Sequence, residues 1–219
     1  MIRSAVKLWL PLIISVIWVF LATAALLLFN QYLLMSLPLG LRMVLSFVTY
    51  WCVAAVPLSF ALRDRYCPFQ AEKLWLQLLW GLVLGAGVSV VFTLLPRFLG
   101  LGHLVGSGNG YRKLWQFVYE LLYQVAAVAL VEEFLFRGFL YHRLRLLLRR
   151  EWAAVLVSSV LFGLLHFGGG DPVHMASTAL LGILFCLFRN KLRHCTLLSL
   201  VLAHGLYNWL ISLWSFIFG

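Results

Sequence analysis

The sequence is poor in charged residues, and acidic residues are especially scarce. Only 11% of its 219 residues are charged, and Asp and Glu together number seven. With 63% hydrophobic residues, such a chain has too little polar surface for a water-soluble domain of this size. It also lacks the short segments of alternating hydrophobicity that a transmembrane β-barrel requires. We therefore predict an all-α fold, a polytopic transmembrane helical bundle.

Cysteine pairs and common hydrolase motifs are also missing. The four cysteines form no Cys-x-x-Cys pair, which argues against a disulfide framework and against a cysteine metal site. Neither G-x-S-x-G nor H-E-x-x-H occurs, so the usual serine-hydrolase and zinc-protease signatures are absent. No internal repeat is visible, which counts against transporters built from duplicated halves.

Seven apolar runs are long enough, or nearly so, for the ~20 residues that a bilayer core requires. They are 8–29, 43–62, 74–95, 114–141, 152–167, 172–188 and 196–218. The fifth and sixth runs are short, so these spans are expected to be little tilted or partly re-entrant. We predict one integral membrane domain, 1–219, in which 1–113 form three scaffold spans and an external loop. The four-span part, 114–219, holds all the unusual polar chemistry.

Lys and Arg residues are unevenly distributed between the predicted loops. If the N-terminus is cytosolic, twelve of them lie inside: Arg3, Lys7, Arg63, Arg65, Lys73, Arg143, Arg145, Arg149, Arg150, Arg189, Lys191 and Arg193. Only Arg42, Arg97, Arg112 and Lys113 lie outside. This asymmetry predicts a cytosolic N-terminus and an external C-terminus. It also explains the net charge of +10 without nucleic acid, so the predicted partner is the lipid bilayer.

The stretch ALVEEFLFRGFLYHRL, 129–144, places Glu132, Glu133 and Arg137 within the fourth predicted span. A charge at the centre of a span costs about 2.5–3.5 kcal/mol on insertion scales, so each one requires a partner or a function. Glu133 and Arg137 are four residues apart, which predicts an ion pair that fixes helix packing. Glu132 is turned by about 100° from Glu133 on an α-helix and has no local cation. We therefore predict that Glu132 is available for chemistry.

Two of the six histidines, His166 and His204, lie inside apolar runs. At 1.5 Å per residue, Glu132 and His204 lie about 15 Å deep, and His166 about 21 Å from the start of its span. Asn208 follows His204 by four residues, so both project from one helical stripe. Titratable groups at similar depth on three spans predict a shared polar cavity. The glycines after Phe167 can end the fifth helix and admit water.

These residue types suit hydrolysis by direct attack of water. A buried carboxylate with an imidazole can take a proton from water, and a His/Asn pair can donate hydrogen bonds to a developing oxyanion. We expect no cofactor. Zinc is the alternative, since Glu132, His166 and His204 could bind it with one open position. Their spacing in the sequence neither supports nor excludes a metal site.

Three motifs carry a resemblance to a known family. EEFLFR at 132–137, FGLLH at 162–166 and HGLYN at 204–208 resemble its Glu-Glu-x-x-x-Arg, Phe-x-x-x-His and His-x-x-x-Asn motifs, in this order. The family is the CAAX-protease and bacteriocin-processing (CPBP) family of glutamate-dependent intramembrane proteases. The resemblance covers about residues 114–210, whereas 1–113 carry no motif.

The resemblance implies an intramembrane endopeptidase with its active site inside the membrane. Glu132 and His166 would activate water, while His204 and Asn208 would form the oxyanion hole. Supporting roles are implied for Glu133, Arg137 and Phe162. The implied substrate is a membrane-anchored protein or peptide, and the expected location is a bacterial cytoplasmic membrane.

Two other functions fit the same residues. In a non-catalytic immunity or peptide-binding scaffold protein, the polar groups would only fix helix packing. In a proton-coupled transporter, the Glu and His residues would form a proton path. Loss of cleavage by a folded Glu132→Ala or His166→Ala variant distinguishes the protease from both.

Overall fold

The structure is a computed structural model that describes residues 2–105, 113–168 and 172–218, with residues 2–7 described by their backbone alone. These residues form α-helices without any β-strand, which confirms the predicted all-α class. The helices are α1 Ile2–Tyr32, α2 Leu39–Trp51, α3 Ala55–Arg63, α4 Leu74–Ser89, α5 Leu95–Phe98, α6 Leu114–Tyr123, α7 Leu130–Glu133, α8 Tyr141–Leu148, α9 Glu151–Leu165, α10 Pro172–Lys191 and α11 Leu197–Phe218. The 3₁₀ turns are Leu34–Ser36, Cys52–Ala54, Gly102–Leu104 and His166–Gly168, and the π-helical segments are Val90–Leu94, Gln124–Ala129 and Phe134–Leu140. Parts of two predicted features, the external loop around Arg112 and the glycines after Gly168, lie outside the described residues.

Within the described chain, seven helical stretches are long and apolar enough to cross a membrane, as predicted. They are Leu8–Ser36, Leu39–Arg63, Leu74–Phe98, Leu114–Leu148, Glu151–Gly168, Pro172–Lys191 and Leu197–Phe218. The fifth and sixth contain 18 and 20 residues. At 1.5 Å per residue these helices are about 27 and 30 Å long, enough to cross a hydrocarbon core of ~30 Å with little tilt. The chain is an integral membrane protein.

The fourth span extends seven residues beyond its predicted end at 141 and stops at Leu148. The apolar run ends at Arg143 and Arg145, whereas the helix continues through both residues. Leu and Arg are both good helix formers, and the long Arg side chains can place their charges in the interface. Hydropathy therefore located the end of the hydrocarbon crossing rather than the end of the helix.

The chain divides into two compact units, and this division does not follow the predicted boundary at residue 113. The first unit contains Met1–Pro68 and Phe134–Cys186, and the second contains Phe69–Glu133 and Leu187–Gly219. The fourth span contributes residues to both units, because the division falls between Glu133 and Phe134.

In the first unit, glycine residues allow α9 and α10 to pack closely. A Cβ atom at Gly163 would lie 2.7 Å from the carbonyl oxygen of Met175 and 2.8 Å from Cβ of Ala179. A Cβ atom at Gly182 would lie 2.9 Å from Cβ of Ser159. Neither position has room for a methyl group, so the two glycines set the helix spacing. This packing holds the end of α9, from which His166 projects.

In the second unit, α4 packs against α11 in the same way. A Cβ atom at Gly81 would lie 2.6 Å from Cβ of Leu202, and one at Gly85 would lie 2.9 Å from the carbonyl oxygen of Ala203. The two glycines are four residues apart and form one smooth stripe on α4, as in small-residue packing between membrane helices. The contact fixes α11, which carries His204 and Asn208.

Candidate active site

The acidic pair of the fourth span lies between two π-helical segments. Glu132 and Glu133 end the short helix α7, with Gln124–Ala129 before it and Phe134–Leu140 after it. π-helical segments are rare and occur often at functional sites. They also change the angular relation between residues, because their hydrogen bonds join i and i+5. The α-helical geometry on which the Glu133–Arg137 pair was predicted does not apply through Phe134–Leu140, and the pair stays a prediction.

The imidazole of His204 lies between the two carboxylates. Its Nδ1 atom is 2.8 Å from Oε1 of Glu133, and its Nε2 atom is 3.6 Å from Oε2 of Glu132. All three side chains are buried: Glu133 is 0% exposed, Glu132 4% and His204 7%. A carboxylate on Nδ1 fixes the orientation of the ring. Nε2 is thereby directed towards the carboxylate that the sequence predicts to be catalytic.

Asn208 also has a partner on the fourth span. Its Nδ2 atom donates a hydrogen bond to Oε1 of Gln124 at 3.0 Å. Each amide nitrogen has two N–H groups, so this bond fixes the side chain and leaves one donor for another acceptor. His204 and Asn208 share a stripe on α11, as predicted, and both are oriented by residues of the fourth span.

A third pair continues the series and was missed in the sequence. Ser212 donates a hydrogen bond from Oγ to Oε1 of Glu120 at 2.8 Å, and Glu120 is only 2% exposed. A signal was present, since His204, Asn208 and Ser212 are spaced by four residues, as are Glu120 and Gln124. In an apolar span such a stripe of polar residues predicts a polar neighbour.

A glycine in the HGLYN motif explains how these pairs can form. A Cβ atom at Gly205 would lie 2.6 Å from Cγ2 and 2.8 Å from Cα of Val125. The backbones of α11 and the fourth span approach each other here more closely than any side chain would permit. The glycine between His204 and Asn208 therefore brings both side chains within reach of their partners.

The FGLLH motif has a structural role for each of its end residues. Nδ1 of His166 lies 3.0 Å from the carbonyl oxygen of Phe162, and the two rings meet edge to face with centroids 5.0 Å apart. A carbonyl oxygen only accepts, so Nδ1 carries the proton and Nε2 of the neutral ring carries the lone pair. This is the tautomer that a general base requires. α9 ends at Leu165, and a 3₁₀ turn, His166–Gly168, follows it.

Phe162 also supports Arg137. The guanidinium of Arg137 lies over the Phe162 ring, 4.0 Å from its centroid, and is 5.6 Å from the centroid of Phe185. Arg137 is 1% exposed, and a desolvated cation–π contact contributes about 2 kcal/mol or more. One aromatic ring thus connects Arg137 and His166 within the first unit.

His174, near the start of α10, is exposed and contacts His166. Their ring centroids are 5.5 Å apart with an interplanar angle of 64°. The sequence did not predict this contact, because the two histidines are eight residues apart and lie on either side of a predicted loop.

The residues fit a zinc ion only in part. Tetrahedral ligands at about 2.0–2.1 Å stand roughly 3.4 Å apart, close to the 3.6 Å between Glu132 and His204. A carboxylate such as Glu133 on the other ring nitrogen is usual for a metal-binding histidine. However, no group of three or more His, Cys, Asp or Glu side chains in the described ranges could hold a metal ion. Zinc sites need at least three protein ligands, so the described set is incomplete.

The structure thus brings together two sets of predicted site residues. Glu132, Glu133 and His204 meet in the second unit, where Asn208 is also anchored. In the first unit Phe162 contacts both Arg137 and His166. We still only predict that His166 and Glu132 share a water molecule.

A comparison with protein-family models finds a match over part of the chain. Residues 114–210 match the family model described as Rce1-like, type II CAAX prenyl endopeptidase. The matched segment contains all three motifs and has the bounds predicted from them, so the family resemblance is confirmed. No curated protein and no solved structure matches the chain.

Proposed function

Because its segment 114–210 matches a family of CAAX prenyl endopeptidases, we propose that this chain is an intramembrane endopeptidase of the glutamate type. The single observation that supports this assignment most strongly is the buried imidazole of His204 between two carboxylates, 2.8 Å from Glu133 and 3.6 Å from Glu132. Burying three titratable groups in contact costs free energy that helix packing alone does not require. Their arrangement also gives the two carboxylates different chemical roles.

In the proposed reaction, Glu132 takes a proton from a water molecule with the help of Nε2 of His166. The water oxygen attacks the carbonyl carbon of the scissile peptide bond, and the carbonyl oxygen becomes an oxyanion. Nε2–H of His204 and the second N–H of Asn208 donate hydrogen bonds to this oxyanion. When the carbon–nitrogen bond breaks, the protonated carboxyl of Glu132 gives the proton to the leaving amine.

The remaining residues orient these groups. Glu133 holds the ring of His204 through Nδ1, so that Nε2 faces the position of the proposed oxyanion. Gln124 holds the amide of Asn208. Phe162 accepts the Nδ1–H of His166 at its carbonyl and packs under Arg137. No step in this scheme requires a metal ion.

The proposed substrate is a membrane-anchored protein or peptide that is cut near the bilayer boundary. The buried position of Glu132 and His204 favours a substrate that reaches the site from within the membrane. The charge distribution supports a cytosolic N-terminus and an external C-terminus, and the proposed location is a bacterial cytoplasmic membrane.

Comparative membrane proteomics tests the proposal. Membranes from cells that produce the wild-type chain are compared with membranes from cells that produce Glu132→Gln at the same level. We expect a precursor to accumulate in the variant and the purified wild-type protein to cleave it, with Glu132→Gln slower by about 10²–10⁴-fold. Full cleavage by folded Glu132→Gln would exclude the glutamate mechanism. Cleavage by the wild type that stops after chelation and returns with zinc would favour the metal-dependent alternative.

A further inference from the structure

A cavity with a mixed polar and apolar lining lies in the first unit, outside the candidate active site, at the side that the charge distribution predicts to be cytosolic. Its volume is about 310 Å³, which is at the lower end of the range for small-molecule sites. The polar part of its lining consists of Asp64, Arg65, Tyr66, His142 and Arg143. None of these residues is used by the proposed reaction.

The charged side chains leave this lining with a net positive charge. Arg143 is 5% exposed and pairs with Asp64, and its guanidinium lies 4.7 Å from the centroid of the Phe139 ring. Two arginines and one aspartate line the cavity, so with His142 neutral the net charge is +2 − 1 = +1. A phosphodiester carries one negative charge and would balance it.

Arg65 occupies a backbone position that normally favours glycine. Helix α3 ends in a Schellman motif, in which the amide of Tyr66 donates to the carbonyl of Ala61 at 2.8 Å and that of Arg65 to Leu62 at 3.1 Å. Arg65 has φ 52°, in the left-handed region where glycine is usual. An arginine at this position therefore adds backbone strain, and such strain is common at functional sites.

Basic residues recur at such positions. The other non-glycine residues with positive φ in the described chain are Lys73, Arg149 and His194, and each follows or precedes a helix on the predicted cytosolic side. At this side of a membrane, cations near helix ends face anionic lipid headgroups. Arg65 lines this cavity, and the other three residues do not.

The rest of the cavity lining is apolar. Leu8, Phe139 and Leu146 complete the lining, next to the two arginines. A cavity that is cationic at one part and apolar at another fits an amphiphile better than it fits a free ion. Tyr66 fixes the site to the fourth span, because its hydroxyl donates to the carbonyl of Gly138 at 3.1 Å and its ring stacks on His142.

From these observations we propose that the cavity binds the phosphate group of an anionic phospholipid. The phosphate contacts Arg65 and the accessible edge of the Asp64–Arg143 pair, and the glycerol and first acyl carbons lie against Leu8 and Leu146. The interaction is non-covalent. Because Tyr66 and Phe139 connect the cavity to the fourth span, a bound lipid would also stabilise this span.

Native mass spectrometry of the full-length protein in detergent tests the proposal. The protein is incubated with phosphatidylglycerol or with phosphatidylcholine of the same acyl chains, and retained lipids are counted. We expect one retained phosphatidylglycerol and little phosphatidylcholine. Arg65→Gly should weaken retention about fivefold, the equivalent of the ~1 kcal/mol that one cation contributes near an anionic surface. Glycine adopts the left-handed conformation without strain, so this variant should fold.

The matched control is Arg149→Gly, which removes a cation from another helix end with φ 55° but not from the cavity. It should retain phosphatidylglycerol as the wild type does. Equal retention of both lipids, unchanged retention by Arg65→Gly, or equal losses in the two variants would each overturn the proposal.

A parallel measurement distinguishes the two sources of phosphate. The thermal unfolding midpoint is followed with phosphatidylglycerol and, separately, with inorganic phosphate. A rise with the lipid alone supports a lipid site, and a rise with inorganic phosphate that Arg65→Gly abolishes supports a phosphate site open to soluble ligands. No rise with either ligand contradicts both. Neither readout involves peptide cleavage, so the result is independent of the proposed function.

Discussion

Nδ1 of His204 lies 2.8 Å from Oε1 of Glu133, a carboxylate that is fully buried. The second glutamate of the acidic pair therefore acts on the ring rather than on solvent. This relationship divides the pair, because Glu132 faces the other nitrogen of the same ring at 3.6 Å. Two adjacent carboxylates in one motif thus have different neighbours and different proposed roles.

Glu133→Gln tests this division. Glutamine can still contact Nδ1 but lacks the carboxylate that accepts the Nδ1 hydrogen bond and orients the ring of His204. We expect kcat to fall by about 10²–10³, as on loss of one oxyanion-hole donor, while KM changes little. Steady-state kinetics on the purified protein will separate the change in kcat from any change in KM.

Glu120→Gln is the matched control for that variant. It removes another buried carboxylate from the same span, one that accepts a hydrogen bond from Ser212 instead of His204. Its kcat should fall less than about tenfold, because Glu120 contacts Ser212 and glutamine keeps an oxygen that can accept the same hydrogen bond. Equal effects of the two substitutions would show that burial of a carboxylate, rather than contact with His204, determines activity.

Gln124 is predicted to position Asn208. Gln124→Leu removes the acceptor of the Nδ2 hydrogen bond, so the amide can rotate away from the oxyanion, and we expect kcat to fall about tenfold. Gln124→Glu keeps an acceptor oxygen and should restore most of the activity. Leu122→Ala, at a side chain that is 60% exposed on the same helix, should have no effect on kcat. If Gln124→Glu is as impaired as Gln124→Leu, the hydrogen bond is not what positions Asn208.

Gly205→Ala should destabilise the second unit. The added Cβ would lie 2.8 Å from the Cα atom of Val125, and a backbone atom cannot move away cheaply. We expect a loss of about 1–3 kcal/mol, measured by unfolding in detergent. Gly87→Ala is the control, since a Cβ there meets nothing within 4 Å and alanine favours the helix. A Gly205→Ala protein as stable as Gly87→Ala would contradict the close approach of the two helices.

Much of the architecture could be predicted from the sequence because a bilayer imposes simple requirements. Apolar runs identified seven spans, and the three motifs identified the segment 114–210 that the family model matches. Residues spaced by four, such as His204 and Asn208, lie on one face of α11 because this helix is regular throughout. The link between Phe162 and His166 follows from the same i, i+4 geometry.

The features that could not be predicted depend on departures from that regularity. Two π-helical segments around Glu132 change the faces of the fourth span, and no residue pattern signals a π-helix. The partners of Asn208 and Ser212, Gln124 and Glu120, could not be predicted because they lie 84 and 92 residues away in the sequence, on another span. The left-handed backbone of Arg65 was also unexpected, since a helix end of this type normally has glycine.

The pair between Asp64 and Arg143 predicts a dependence of stability on pH. Burial raises the pKa of Asp64, but hydrogen bonds and positive charge from Arg63 and Arg143 outweigh it and hold the pKa below the ordinary 3.8. A carboxyl with a lowered folded-state pKa stabilises the protein above 3.8, and this contribution is lost as pH falls through the folded-state value. Asp64→Asn should therefore lower stability at neutral pH and flatten the acid side of the profile.

Unfolding in detergent, followed from neutral pH into the acid range, measures this effect. Asp64→Asn should cost about 0.5–1 kcal/mol at neutral pH, because the Asp64 side chain is 36% exposed and solvent screens its ion pair. The difference between variant and wild type should shrink as the acid protonates Asp64. A difference that stays constant with pH would mean that the ionised carboxyl is not the stabilising form.

Two cysteines allow the predicted orientation to be tested. Cys67 is exposed and lies on a loop predicted to be cytosolic, whereas Cys195 is buried and burial raises the pKa of its thiol to about 11. A rise from 9.0 to about 11 lowers the thiolate fraction at neutral pH roughly a hundredfold, and only the thiolate reacts with maleimide. We expect a variant that keeps only Cys67 to react with a membrane-impermeant maleimide in inside-out vesicles but not in intact cells. A variant that keeps only Cys195 should react slowly in both until the protein is unfolded. Rapid labelling of Cys67 in intact cells would reverse the orientation, because it would place that loop, and with it the N-terminus, outside.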